Sequence, residues 1–237
     1  MTALRPEPRI AAVVAAAGQG SRLGRDIPKA LHPLGGEPMV VRAVRTLAAA
    51  RIDLVVVAAP PGRRDEVYAG LAGTIGAAEL LVVEGGSTRV DSVRAALGVL
   101  PESVDIVLVH DAARPLAPES LVDDVVAAVE GGADAVVPGL LVTDTVKQVS
   151  GTGEVVATVD RSALRAVQTP QGFRRTVLDA AYRSVDGADV TDDAGLVERT
   201  GGRVLVVPGH DEAFKVTTPL DLMLAESVLA RREGGHG

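Results

Sequence analysis

A glycine turn followed by unevenly spaced cations is the first chemistry in this chain. The stretch "AAVVAAAGQGSRLGRDIPKA" (residues 11–30) places Gly18, Gly20 and Gly24 around Ser21 and Arg22, with Lys29 just beyond. Bare glycine amides after a strand can approach an anion closely, and the basic residues beside them can neutralise it. The spacing is one residue longer than the G-x-G-x-x-G dinucleotide fingerprint. Lys29 stands between Pro28 and Ala30, so the P-loop pattern fails too. Two readings remain: a phosphate cradle of another kind, or a tight turn with solvated basic residues.

Two more polar loops share the pattern. "EGGSTRVDSV" (84–93) gathers Ser87, Thr88, Arg89 and Ser92 behind Gly85 and Gly86, and "VHDAARP" (109–115) offers Asp111 and Arg114. Among 24 basic residues the only lysines are Lys29, Lys147 and Lys215, so a lysine here hints at a place that wants a compact ammonium rather than a guanidinium fork. The chain has no cysteine, and His32, His110, His210 and His236 lack ligand-like spacing. A net charge of −7 with 2% aromatics argues against nucleic-acid binding. An anionic ligand must therefore meet a local cluster of positive charge.

The elements that would hold these loops can be read from periodicity. Short apolar runs predict strands at about 9–15, 53–59, 79–83, 104–110, 133–138 and 203–207. Helical spacing between them predicts helices at 38–50, 63–71, 88–100, 118–130, 176–183 and 219–230. The alternation implies an α/β fold with a doubly wound, mostly parallel Rossmann-like sheet, ligands binding at the carboxyl ends of its strands. One segment breaks the alternation: "VTDTVKQVSGTGEVVATVD" (142–160) reads as a β-hairpin about an "SGTG" turn. Such a hairpin is marginal alone and must pack on its own domain or on another subunit.

The 237 residues suit one domain, and 47% hydrophobic content is ample for its core. No repeat or linker interrupts it, and only the first eight and last six residues look frayed. The longest apolar runs, 10–17 and 54–59, are too short to cross a bilayer, and the start "MTALRPEP" lacks a signal peptide's apolar stretch. No membrane association and a cytoplasmic location are expected.

Taken together, "AAAGQGSRLG…PKA", "EGGSTRVDSV", "VHDAARP", "TDTVK", "VDRSALRAVQTPQGF", "TDDAGLVE" and "FKVTTPLDL" resemble the 2-C-methyl-D-erythritol 4-phosphate cytidylyltransferases of non-mevalonate isoprenoid biosynthesis, in order and over nearly the whole chain. The chain departs from the common pattern of that family at Ala15, Ala30 and Ser87.

The resemblance implies one nucleotidyltransferase domain over 1–237, transferring CMP from CTP to the methylerythritol phosphate with loss of pyrophosphate. It assigns Arg22 and Lys29 to transition-state stabilisation on the triphosphate, and Arg161 and Lys215, with the hydroxyls of Thr145 and Thr169, to the acceptor's phosphate. Gly85, Gly86, Arg89 and Ser92 match the cytosine-reading positions; Ala16, Ala17, Gly18, Gly20, Asp111, Ala112 and Arg114 fall among the substrate contacts. Magnesium is expected, held mainly by phosphate oxygens and water, with Asp111 as its candidate protein ligand; capping the turn after the fourth strand is that residue's other reading. Lys147 stays outside the catalytic set. The 142–160 hairpin is expected to be the arm of a homodimer, carrying Thr145 and Arg161 to the partner's site. Two rivals remain: a pentitol-phosphate cytidylyltransferase acting on ribitol 5-phosphate, and a non-catalytic nucleotide sensor.

Overall fold

The computed structural model describes residues 7–18, 27–184 and 191–234. Gly20 and Arg22, together with Ser21, Gly24 and His236, lie outside the described residues.

In chain order, β1 (Ile10–Ala15) is followed by a two-stranded ribbon of β2 (Pro33–Leu34) and β3 (Glu37–Pro38), then α1 (Met39–Ala49), β4 (Leu54–Ala59) and α2 (Arg64–Leu71). Next come β5 (Glu79–Glu84), α3 (Arg89–Leu97), β6 (Ile106–Asp111), α4 (Glu119–Glu130) and β7 (Ala135–Leu141). The hairpin β8 (Val146–Val149) and β9 (Val155–Val159) leads to β10 (Arg165–Val167), β11 (Gln171–Arg174), α5 (Arg175–Ser184), α6 (Asp193–Arg199), β12 (Val204–Pro208) and α7 (Pro219–Gly234). Every strand and helix expected from periodicity is present, with ends shifted by up to four residues.

The main sheet runs β10-β7-β11-β6-β1-β4-β5, with β12 also paired to β7. Strands β5, β4, β1 and β6 are mutually parallel, as are β12 and β7; β11 runs antiparallel between β6 and β7, and β10 antiparallel to β7. The sheet is doubly wound because both faces of its strands are apolar. Ile10, Ala12 and Val14 of β1 enter a core shared with α1, α2 and α4, while Ala11 and Val13 enter one shared with α3, α5 and α6.

Register decides where the loops emerge. Ala15, the last residue of β1, pairs with Ala58 on one side and Asp111 on the other, and Ala59 of β4 pairs with Glu84 of β5. The chain therefore leaves β1, β5 and β6 at one edge, where the three polar loops of the sequence begin. A smaller core of Leu34, Met39, Leu116, Val216, Ala225 and Leu229 seats α7 against the β2–β3 ribbon and fixes the segment that carries Lys215. Gly35 makes the close approach possible: it sits at φ +56, and a Cβ there would lie 2.3 Å from the Leu229 side chain.

The 142–160 segment forms the expected hairpin, a separate two-stranded sheet with an irregularity at Gln148/Val149. Its apolar residues Val155 and Val156 are 60% and 62% exposed. No helix among the described residues is long and apolar enough to cross a membrane.

Candidate active site

The three loops close around a pocket of about 330 Å³, toward the lower end of small-molecule sites. Ala16, Ala17, Gly18 and Lys29 line it from the first loop, Gly86, Arg89 and Ser92 from the second, Asp111 and Ala112 from the third, and Lys215 from the segment before α7. Ala15, Ala30 and Ser87, the departures from the family pattern, line it as well.

Each loop is held open by local bonds. In the first, the Ala16 amide donates to Ala58 O at 3.0 Å and the Lys29 amide to Gly18 O at 3.3 Å, which brings Lys29 back beside Gly18. In the second, Thr88 caps α3: its hydroxyl accepts from the Asp91 amide at 3.0 Å and the Asp91 carboxylate accepts from the Thr88 amide at 3.2 Å. Gly85 lies so close to the first loop that a Cβ would meet the Cβ of Ala17 at 2.4 Å and Ala59 O at 2.9 Å. Ser92 donates to Thr88 O at 2.8 Å and accepts from the Gly86 amide at 3.1 Å, so its buried hydroxyl shapes the double-glycine turn that it was expected to supplement.

Asp111 is the electrostatic centre. Arg89 Nε donates to its Oδ1 at 2.9 Å, and Lys215 Nζ lies 2.7 Å from Oδ2. Burial would raise the pKa of this carboxyl, but Arg89 and Lys215 outweigh it and hold the group far below the usual range. Arg89 also pairs with Asp193, whose Oδ2 lies 2.7 Å from Nη2. Burial opposes the charge on Arg89, yet Asp193 and Asp111 together raise its pKa above the ordinary value. Neutral-pH chemistry here meets fixed charges.

Thr169 and Arg114 are bonded within the chain and are not among the residues that line the pocket. Asp111 N–H donates to Thr169 Oγ1 at 3.1 Å, and that hydroxyl sits 3.0 Å from His110 Nδ1. His110 Nε2 is 3.2 Å from the Arg114 carbonyl, which can only accept, so Nε2 carries the ring proton and Nδ1 accepts from Thr169. The hydroxyl proton of Thr169 thus faces His110, and the residue, 4% exposed, accepts from the Asp111 amide and holds that residue in register. Arg114, expected among the substrate contacts, donates to Ala213 O at 2.6 Å and Val167 O at 3.3 Å and does not line the pocket.

Thr145 and Arg161 are exposed at the base of the hairpin and do not line the pocket either. Arg161 donates to Thr143 O, and Lys147 Nζ to Thr158 Oγ1 at 2.6 Å. Sequence reasoning passed over two residues. Thr217 lines the pocket and donates through its amide and hydroxyl to Asp221, whose pKa is lowered to about 2, first by that hydroxyl. Asp193 lies inside the "TDDAGLVE" motif, where only its one-residue offset from the helix-capping Asp192 separates it from a second cap.

No group of three or more His, Asp or Glu side chains among the described residues could hold a metal by itself. Asp111 is the one carboxylate among the described residues that line the pocket, and a magnesium ion would fit there with Asp111 as its single protein ligand and phosphate oxygens and water completing its shell.

A family profile described as 2-C-methyl-D-erythritol 4-phosphate cytidylyltransferase matches residues 10–231. A protein of that name from Streptomyces avermitilis is 55% identical over 98% of each chain. The structure of the Thermus thermophilus 2-C-methyl-D-erythritol 4-phosphate cytidylyltransferase superposes with a TM-score of 0.76 at 34% identity, covering 94% of this chain and 99% of that one. A 4-diphosphocytidyl-2C-methyl-D-erythritol synthase from Anaerococcus prevotii superposes with a TM-score of 0.83 at 27% identity, covering 94% and 97%.

Proposed function

The chain belongs to the 2-C-methyl-D-erythritol 4-phosphate cytidylyltransferase family, and on that premise we propose how its residues carry out the reaction. It is a nucleotidyltransferase that moves CMP from CTP to 2-C-methyl-D-erythritol 4-phosphate. An oxygen of the acceptor's phosphate attacks the α-phosphorus of CTP, the bond from that phosphorus to the β-bridging oxygen breaks, and pyrophosphate leaves with the bonding electrons. The observation that supports this assignment best is the convergence of Lys29, Arg89 and Lys215 on one pocket beside the glycine loops.

Two polyanions must meet, so positioning and neutralisation dominate the catalysis. Lys29, and Arg22 of the same loop, neutralise the triphosphate as charge builds on the equatorial oxygens and the leaving group. The backbone of the 16–18 and 85–86 turns and the Ser92-shaped loop read the cytosine; so few aromatic residues leave little for stacking. Lys215 meets the acceptor's phosphate, giving up part of its hold on Asp111. Magnesium, when bound through Asp111 and the phosphates, supplies further charge neutralisation.

The arm supplies the remaining groups. A lone two-stranded hairpin with exposed valines needs a partner surface, and Arg161 and Thr145 do not line the pocket of their own chain. Both features support a homodimer in which these residues complete the neighbour's acceptor subsite. CTP, an intracellular nucleotide, supports a cytoplasmic setting.

Pyrophosphate release with CTP and a panel of acceptors tests the function. Release with 2-C-methyl-D-erythritol 4-phosphate, and much slower release with ribitol 5-phosphate, is expected. Preference for the pentitol phosphate would move the enzyme to the rival acceptor, and no release with any acceptor would leave a nucleotide sensor.

A further inference from the structure

We propose that Asp193 is a positioning residue for CMP transfer: it anchors Arg89 from behind, so that Arg89 can loosen its grip on Asp111 when substrate arrives without losing its place in the pocket. The inference rests on the reading of Arg89 as a substrate contact.

Asp193 is 1% exposed, and an unpaired carboxylate at such a depth is strongly disfavoured. Its charge is not needed to start α6, because the neighbouring Asp192 caps that helix, accepting from the Gly195 amide at 3.0 Å. Asp193 is engaged elsewhere. Its Oδ1 accepts from the Tyr182 hydroxyl at 2.5 Å, and its Oδ2 lies 2.7 Å from Arg89 Nη2. Tyr182 is itself held under the Arg94 guanidinium, 5.9 Å from the ring centroid.

The result is a line of alternating charge, Asp193, Arg89, Asp111 and Lys215, running from the α5–α6 layer into the pocket. With the pocket empty this line is neutral. An incoming polyphosphate attracts Arg89 and Lys215 and repels Asp111, so the bonds in the middle of the line must weaken. An arginine whose sole counter-ion were Asp111 would then swing or remain unpaired. With Nη2 held by a buried carboxylate, the planar guanidinium keeps its orientation while Nε exchanges Asp111 for substrate.

A double-mutant cycle between Asp193→Asn and Arg89→Ala tests this, reading CTP affinity by calorimetry without acceptor and kcat/KM in the full reaction. Asp193→Asn is expected to lower kcat/KM for CTP about a hundredfold, the scale of a misplaced positioning group. In the Arg89→Ala background the same change should have an effect within about twofold of none. Losses that multiply, or a silent Asp193→Asn beside an impaired Arg89→Ala, would overturn the inference alone. A silent Arg89→Ala would remove the reading of Arg89 and the inference with it. If Asp193→Asn does not fold, Tyr182→Phe enters the same cycle, with an expected loss of about tenfold that vanishes without Arg89. A Tyr182→Phe loss that persists without Arg89, or no loss at all, contradicts the proposal.

Discussion

Lys29 keeps a compact ammonium in a chain whose default cation is arginine, and it keeps it where its own amide bonds back to Gly18. Lys29→Arg should therefore lower kcat severely while CTP affinity weakens only modestly, because the lost contact is made chiefly in the transition state. Steady-state kinetics beside calorimetric CTP binding will show this; an unchanged kcat would mean that charge alone suffices. His110 makes a second prediction. Burial lowers its pKa from 6.5 to about 4, so between those values the unfolded chain binds a proton that the native one does not. Its contribution to stability is complete above pH 6.5 and is lost as pH falls toward 4. Urea midpoints should drop across that window, and the drop should shrink in His110→Gln. That Gly18, Gly86, Lys29 and Lys215 would meet at one edge of the sheet was legible in the sequence because their types restrict what a loop can do. The bonds that Thr169, Ser92 and Arg114 make inside the fold were not, since a side chain's type does not reveal which neighbour its proton faces.

Among the elements, the hairpin ties its chemistry to its folding. Arg161→Ala is expected to raise KM for the acceptor far more than KM for CTP, since the two anions have separate cations; equal increases, or one confined to CTP, would contradict the assignment. The parallel strands and the helices between them were readable because apolar runs and 3.6-residue spacing repeat over five or more residues. Strands β10 and β11 were missed for a physical reason. They are three and four residues long, separated by Gln168, Thr169 and Pro170, and their order comes from pairing with β7 and β6, far away in sequence. Helix α6 is seven residues long, too short to show a period, and its start is marked only by the Asp192 cap. Asp193 opens α6 and Thr169 lies in the short link between β10 and β11, which is why the part of the site behind Asp111 was the least visible.

For the whole molecule, the open question is how many chains make one site. If Arg161 serves the partner's pocket while Lys29 serves its own, a hybrid of Lys29→Ala and Arg161→Ala subunits gathers both lesions in one site and leaves the other intact. Random remixing of equal amounts should then restore about a quarter of wild-type sites. Activity no higher than the mean of the parents, in a mixture shown to contain hybrids, would make the arm a structural clasp. Bond-making at the pocket around Asp111 is read most directly by label transfer. With CTP radiolabelled on its α-phosphorus and 2-C-methyl-D-erythritol 4-phosphate as acceptor, the label should appear in the cytidyl diphospho-polyol in step with unlabelled pyrophosphate. Label recovered as free CMP, or label that never leaves CTP while the enzyme binds it, would contradict the account.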